Sequence, residues 1–172
     1  MYVTWRYSYE WVLAYLMESY EAYTDGSYQD SIKAGGWASI ILKDDKIFKK
    51  LYQGLKYTTN NRCELIGVIE TLQYFKNPVN ITIYSDSQYV VNSINGGYAF
   101  KWIKESDISK KNFDLWFKLV DLLDYHNVTM KWVKGHESNK YNNLADLYCT
   151  HSATCLNIPE DENYKLSIQK IR

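Results

Sequence analysis

Charge of either sign in excess is the first thing missing. Twenty basic side chains stand against twenty acidic ones over 172 residues, for a formal net charge of zero. No whole-molecule field therefore draws in nucleic acid, and any such binding has to come from a local patch. Cysteine is scarce: Cys63, Cys149 and Cys155 are an odd number without Cys-x-x-Cys spacing. That excludes a disulfide framework and a zinc knuckle, and fits an intracellular, reducing compartment, cytoplasm or nucleus. Long apolar runs are absent too. Trp11 to Met17 is far too short to span a bilayer, and Glu18 and Glu21 follow it at once. No membrane association is expected, and no secretory leader, because Arg6 is the only positive charge ahead of that acidic flank. No internal repeat and no Gly/Ser-rich linker divides the chain, which suits one domain able to bury about 70% of its unfolded surface.

Aromatic residues, by contrast, are plentiful, with 17 Tyr and 6 Trp, and serve either as core or as stacking platforms for bases. From Glu21 the pattern reads as strands at Ala22 to Tyr28, Gly36 to Leu42 and Lys46 to Gly54, with the polar turn Lys43 to Lys46 between the last two. Helical spacing of Leu65, Val68, Ile69, Leu72 and Phe75 predicts a helix over Asn61 to Phe75. A strand over Val79 to Tyr84, a helix after Ser85, a helix over Asp114 to Tyr125, a strand over Val128 to Val133 and a last helix over Asn139 to Ala153 follow. An antiparallel meander followed by alternating helix and strand predicts an α/β fold: a five-stranded mixed sheet flanked by helices. The expected organisation is an N-terminal extension over 1–20, helical in character, a domain over 21–155 and a partly loose tail over 156–172.

Within this frame the stretch Tyr23 to Ser27 poses a choice. Asp25-Gly26 is a strong hairpin-turn signal, yet the polar segment that follows has no alternation to support a hairpin. Three other acids stand at comparable places: Glu64 on the first helix, Asp86 just after the fourth strand and Asp146 on the last helix. Each has an ordinary alternative. Glu64 fits a cap pair with Asn61, Asp86 lies in a capping box made by Ser85 and Gln88, and Asp146 suits a solvated helix surface. As a set they suit hard divalent cations, which take carboxylate oxygens from several directions, and two ions about 4 Å apart can act on both sides of a phosphodiester.

The motifs Tyr-Thr-Asp-Gly-Ser at 23 to 27, Gly-Gly-Trp-Ala at 35 to 38, Thr-Thr-Asn-Asn-Arg-Cys-Glu-Leu at 58 to 65, Tyr-Ser-Asp-Ser-Gln-Tyr-Val at 84 to 90, Asn-x-Asp-Leu-Trp at 112 to 116 and Trp-Val-Lys-Gly-His at 132 to 136 resemble the type 1 ribonucleases H. The resemblance runs from Glu21 to Ala153. It implies a ribonuclease H-like fold and endonucleolytic hydrolysis of the RNA strand of an RNA/DNA hybrid, with two Mg²⁺ or Mn²⁺ ions. Asp25, Glu64, Asp86 and Asp146 match the metal-binding acids, and His136 matches a mobile histidine that assists proton transfer or product release.

Substrate contacts carried over are Asn60, Asn61 and Gln88, near the RNA 2′-hydroxyls and the minor groove, with Thr59 and Arg62 as grips on a DNA-strand phosphate. Gly26, where a close backbone approach leaves little room for a side chain, and Ser27 join them, as do Lys101 and Trp102 in a shortened basic segment whose lysines are offset by Glu105 and Asp107. The loop Tyr28 to Gly36 and the motif ahead of Asp146 depart from the family pattern. Two alternatives stay open: an inactive module of the same fold that binds hybrid or a protein partner, and a processed domain of a reverse transcriptase. Met1 and the aromatic segment after it read more like a free-standing start than a processed end. For the N-terminal extension the expected roles are a helix on the core, a contact to a protein partner or a second copy, or a substrate platform.

Overall fold

A computed structural model describes residues 17–135 and 139–169. Five strands, β1 (Ser19–Gln29), β2 (Ala34–Lys43), β3 (Lys46–Lys56), β4 (Asn80–Ser85) and β5 (Asn127–Trp132), make one sheet in the order β3-β2-β1-β4-β5. β1, β2 and β3 are antiparallel neighbours, while β4 joins β1 and β5 joins β4 in parallel. The helices are α1 (Asn60–Gln73), α2 (Gln88–Asn95), α3 (Tyr98–Lys104), α4 (Phe113–Tyr125), α5 (Lys140–Ala153) and α6 (Glu162–Gln169). This is the mixed sheet, meander first and crossovers after, that the hydrophobic patterning predicts.

Side-chain alternation along the strands builds two cores. Ala22 and Ile41 face one side, where Leu65, Val68, Ile69 and Leu72 of α1 and Trp116 and Leu119 of α4 cover the sheet. Tyr23, Ile40 and Leu42 face the other side, beneath Ala145 and Cys149 of α5. With helices on both faces, the inner strand β2 is buried almost end to end. Between β2 and β3 the chain reverses through Asp44 and Asp45, both at positive φ (50° and 59°), which is the two-residue turn whose twist matches the flanking strands. Asp25-Gly26 is not a turn: it lies mid-strand, opposite Ala38 and Trp37.

The helix caps differ from the expected ones. Thr59, not Asn61, caps α1 and accepts from the Arg62 N–H at 3.4 Å. Glu64 thus falls beyond the first turn, too far along to reach the cap amide. Ser87, not Ser85, caps α2 and accepts from the Val90 N–H, while the Ser85 hydroxyl receives the Ser87 N–H. Asp86 is outside that cap.

The boundaries also shift at both ends. β1 already begins at Ser19, so the extension is shorter than 1–20; residues 1–16, where its helix was expected, lie outside those described. The tail is docked rather than loose. The Lys56 N–H donates to the Pro159 carbonyl and the Asp161 N–H to the Lys56 carbonyl, both at 2.8 Å. Asp161, 8% exposed, then accepts two bonds from the Arg62 guanidinium, at 2.6 and 2.9 Å, and one from the Thr58 hydroxyl at 3.1 Å. Among the described residues no helix is long and apolar enough to cross a membrane.

Candidate active site

Strand register brings the first two acids together. Thr24 of β1 pairs with Ser85 at the end of β4, so the next residues, Asp25 and Asp86, emerge side by side beyond the carboxyl end of a parallel strand, where open α/β sheets gather their ligands. Glu64 arrives from α1, which crosses the sheet directly over Gly26. A Cβ there would lie 2.3 Å from the Glu64 nitrogen and 2.6 Å from the Cys63 carbonyl carbon. Gly26 is therefore required by helix packing: the close backbone approach that leaves no room for a side chain is that of α1. Asp146 comes from the opposite face on α5, seated close because a Cβ on Gly36 of β2 would meet the Cys149 carbonyl oxygen at 2.1 Å.

One carboxylate oxygen from each of Asp25, Glu64 and Asp86 lies within 4.8 Å of the others, and Asp25, Asp146 and the Cys149 thiol form a second group of the same size. Asp25 belongs to both and joins them into one site. Its Oδ1 accepts the Gly26 N–H at 2.7 Å. Burial, then the charges of Asp86 and Asp146, push its carboxyl up to about 8, opposed only by that N–H bond. Glu64 is raised well above its usual range by burial first, then by Asp25 and Asp86. Its Oε2 is buried with no hydrogen-bond partner. Burial likewise pushes the Cys149 thiol up.

Three carboxylates this close repel one another and are held together at a cost that a cation removes. An acceptor left unsatisfied in the interior is equally expensive unless something outside the chain meets it. Oxygen donors, converging from β1, α1, the β4 end and α5, match what Mg²⁺ or Mn²⁺ takes. The donor set fits a hard divalent cation.

The expected substrate residues divide. Asn60 and Asn61 are exposed on the first turn of α1, one turn ahead of Glu64, with the half-buried Thr59 next to them. Gln88 is exposed two residues past Asp86 and shares a cleft of about 490 Å³ with Tyr98 and Trp102. Trp102 packs edge-on against Trp116 at 5.6 Å. Lys101 is exposed and stands 3.9 Å from Glu105. Ser27 is half-buried, with its hydroxyl beside Cys149.

Arg62 does not fit a phosphate grip. Its side chain is 3% exposed and its guanidinium is held by Asp161 on one edge and on the other by Asp114 through two bonds of 2.8 Å. That double pairing holds its pKa above the usual range despite burial. The two carboxylates take four of the five guanidinium N–H donors in fork geometry, and at 3% exposure the fifth has no open face for a phosphate. His136 lies outside the described residues.

Four further residues border the acids: Asn142, Cys149, Trp132 and Gly135. Asn142, buried one turn before Asp146, places Nδ2 3.5 Å from Asp86 Oδ2, and Cys149 follows Asp146 by three. Both spacings put a residue on the same helix face as Asp146, a signal the sequence carries. Trp132 donates its indole N–H to the Asp86 carbonyl at 3.1 Å, and a Cβ on Gly135 would lie 2.5 Å from Asp86 Oδ2. These depend on how the β5 end meets the β4 end, and although both lie in the Trp132-to-His136 motif, nothing local ties them to Asp86.

The RNase H family model matches residues 17–154 of this chain. A ribonuclease H of Nitratidesulfovibrio vulgaris is 37% identical over 154 residues, covering 87% of this chain and 98% of its own length. One from Francisella tularensis subsp. novicida is 44% identical over 129 residues, covering 73% of this chain and 84% of its own. Among solved structures, LC9-RNase H1, described as a type 1 RNase H with the type 2 active-site motif, superposes with a TM-score of 0.70 at 21% identity, over 83% of this chain and 75% of that one. The prototype foamy virus protease-reverse transcriptase gives 0.69 at 21% identity, over 80% of this chain and 21% of that one. At such identities these two speak for the fold alone.

Proposed function

The chain belongs to the ribonuclease H family, enzymes that hydrolyse the RNA strand of RNA/DNA hybrids, and from that premise we propose that Asp25, Glu64, Asp86 and Asp146 hold two divalent cations, Mg²⁺ or Mn²⁺, at the cleavage site. One observation carries this assignment: Asp25, Glu64 and Asp86 converge within 4.8 Å while Glu64 Oε2 stays buried and unpartnered. When bound, such ions lower the pKa of water and stabilise charge on the phosphate oxygens.

The chain's own residues bind and orient. The Gly26 N–H fixes the Asp25 carboxylate, and Asn142 and Gly135 border Asp86, limiting how far it can swing. At neutral pH Asp25 carries its proton in the metal-free protein, and that proton must leave when a cation arrives, so cation affinity rises with pH through about 8. Asn60, Asn61 and Gln88 present exposed amides to the RNA strand, where donors and acceptors for a 2′-hydroxyl distinguish it from DNA. Thr59, Lys101 and Trp102 supply contacts further along the hybrid, and His136 assists proton transfer or product release. The folded unit runs from Ser19 at least to Asp161, because the docked tail is tied to α1 and α4.

Asp86→Asn removes one charge at constant shape. Cleavage of labelled RNA in a hybrid, assayed under saturating Mg²⁺ with a gel shift in parallel, is expected to be lost while binding persists. Full activity in that variant refutes the assignment, and binding without cleavage in the parent protein favours an inactive hybrid-binding module instead.

A further inference from the structure

We propose that Cys149, Asp25 and Asp146 form a site for a thiophilic divalent cation, Zn²⁺ or Cd²⁺, which overlaps the carboxylate site and makes this chain sensitive to inhibition by such ions. The proposed Mg²⁺ chemistry makes no use of a thiol, since hard cations take oxygen. Yet Cys149 is buried against the acids, with its Sγ and one oxygen each of Asp25 and Asp146 all within 4.8 Å of one another. The spacing is built in, because Cys149 follows Asp146 by three residues on α5 and both point toward β1.

One sulfur and two carboxylate oxygens match the three protein ligands of an open zinc site, reached at about 2.3 Å for sulfur and about 2.0–2.2 Å for oxygen, with the fourth position left to water. A second observation also points to a cation here. Glu64, 5% exposed, contributes a carboxylate oxygen to the acid cluster that shares Asp25, and its Oε2 is buried without a hydrogen-bond partner. Soft thiolate donors favour zinc and cadmium over magnesium, so the ion that gains most from Cys149 is not the one that supports hydrolysis.

Binding exchanges one bond for another. The S–H bond breaks, its proton goes to solvent, and an S–metal bond forms with no change of oxidation state. The contact from Sγ to the Asp146 carbonyl, 3.2 Å, is given up. The other two thiols are placed elsewhere: Cys63 lies 3.7 Å from the Thr58 hydroxyl, and Cys155 is exposed and bonds to the His151 carbonyl.

The test is a titration of chelator-treated full-length protein with Cd²⁺, followed by the ultraviolet thiolate-to-cadmium absorbance. A band saturating at one ion per chain is expected, lost in Cys149→Ala, weakened in Asp146→Asn and kept in Cys155→Ser, and excess Mg²⁺ should shift the titration to higher Cd²⁺. In hybrid cleavage with Mg²⁺, added Cd²⁺ should inhibit the parent more than Cys149→Ala. A thermal melt checks that this variant is folded, and Cys149→Thr is the second variant if it is not. A band that survives in Cys149→Ala, ignores Asp146→Asn or disappears in Cys155→Ser overturns the proposal. Because the absorbance needs no hybrid, a protein that binds Cd²⁺ as described but fails to cleave RNA refutes the hydrolytic reading and leaves this one standing.

Discussion

Replacing Asp25 by asparagine should make the metal-free protein more stable while it abolishes hydrolysis. The amide keeps the shape of the side chain and an oxygen for the Gly26 N–H, and removes only the titratable group placed beside Asp86 and Asp146. The sign follows from the pKa. Asp25 is raised from 3.8 to about 8 in the fold, so between those values the folded chain keeps a proton that the unfolded chain has released. Stability is therefore full below about pH 4, falls as pH rises, and reaches its floor above about pH 8. At pH 7 roughly 3.2 units have been traversed at about 1.4 kcal/mol each, a penalty on the order of 4 kcal/mol, of which mutual relaxation of the cluster leaves about 2–4. Urea unfolding in a chelator, followed by tryptophan fluorescence at pH 4, 5.5, 7 and 8, measures it. The Asp25→Asn advantage should be near zero at pH 4 and grow toward pH 8. Mg²⁺ should then raise the stability of the parent and close the gap, since a ligand that binds only the folded state stabilises it. A variant less stable than the parent at pH 7, or an advantage that does not vary with pH, refutes the view that Asp25 is strained by burial and like charge.

Other expectations follow from the same geometry. Asp161→Ala leaves the Arg62 guanidinium half-paired in the interior, a loss of about 3–5 kcal/mol in denaturant unfolding; an unchanged midpoint would show that the tail is not docked as described. Gly26→Ala drives a methyl into the α1 backbone at 2.3 Å, and should cost more than about 3 kcal/mol and lower cleavage by displacing Glu64, both measurable on one preparation. Lys101, paired loosely with Glu105 at the surface, is expected to matter little for folding; Lys101→Ala should leave the melting temperature alone and reduce the salt slope of hybrid affinity by about 1 if it meets a phosphate.

Legibility in the sequence tracked how local each signal was. Strand and helix order followed from period-2 and period-3.6 patterning, which needs only a window of neighbours, and the four acids were found because each sits in a short motif. Arg62 was misread for the complementary reason. Its motif placed it next to Asn60 and Asn61, but its partners, Asp114 and Asp161, lie 52 and 99 residues away, and nothing near position 62 announces them. The same holds for the caps: Thr59 and Ser87 won over Asn61 and Ser85 because the exact turn at which each helix starts is set by packing on the sheet. The tail reads as loose from its composition alone, whereas Asp161 is held by a bond pattern that requires β3, α1 and the tail to exist together.

Arg62 and Asp25 also explain why one buried group of acids is structural and the other is a candidate for chemistry. Asp114 and Asp161 share a guanidinium supplied by the chain, and Asp114 is held below its usual range by it, against the opposing effect of burial. Their charge is balanced from within, and the cluster has no need of a ligand. Asp25 and Glu64 are buried to the same degree as Asp161, but their neighbours are further acids, and both are raised. Burial alone would have left each a neutral carboxylic acid; packing two of them against Asp86 ensures that full ionisation requires positive charge from outside. The difference predicts opposite responses in one experiment. Divalent cations should stabilise the parent protein strongly at pH 8, weakly at pH 5, and not at all once Asp25 and Glu64 are both amides, whereas removing Asp161 should lower stability by the same amount with or without the cation.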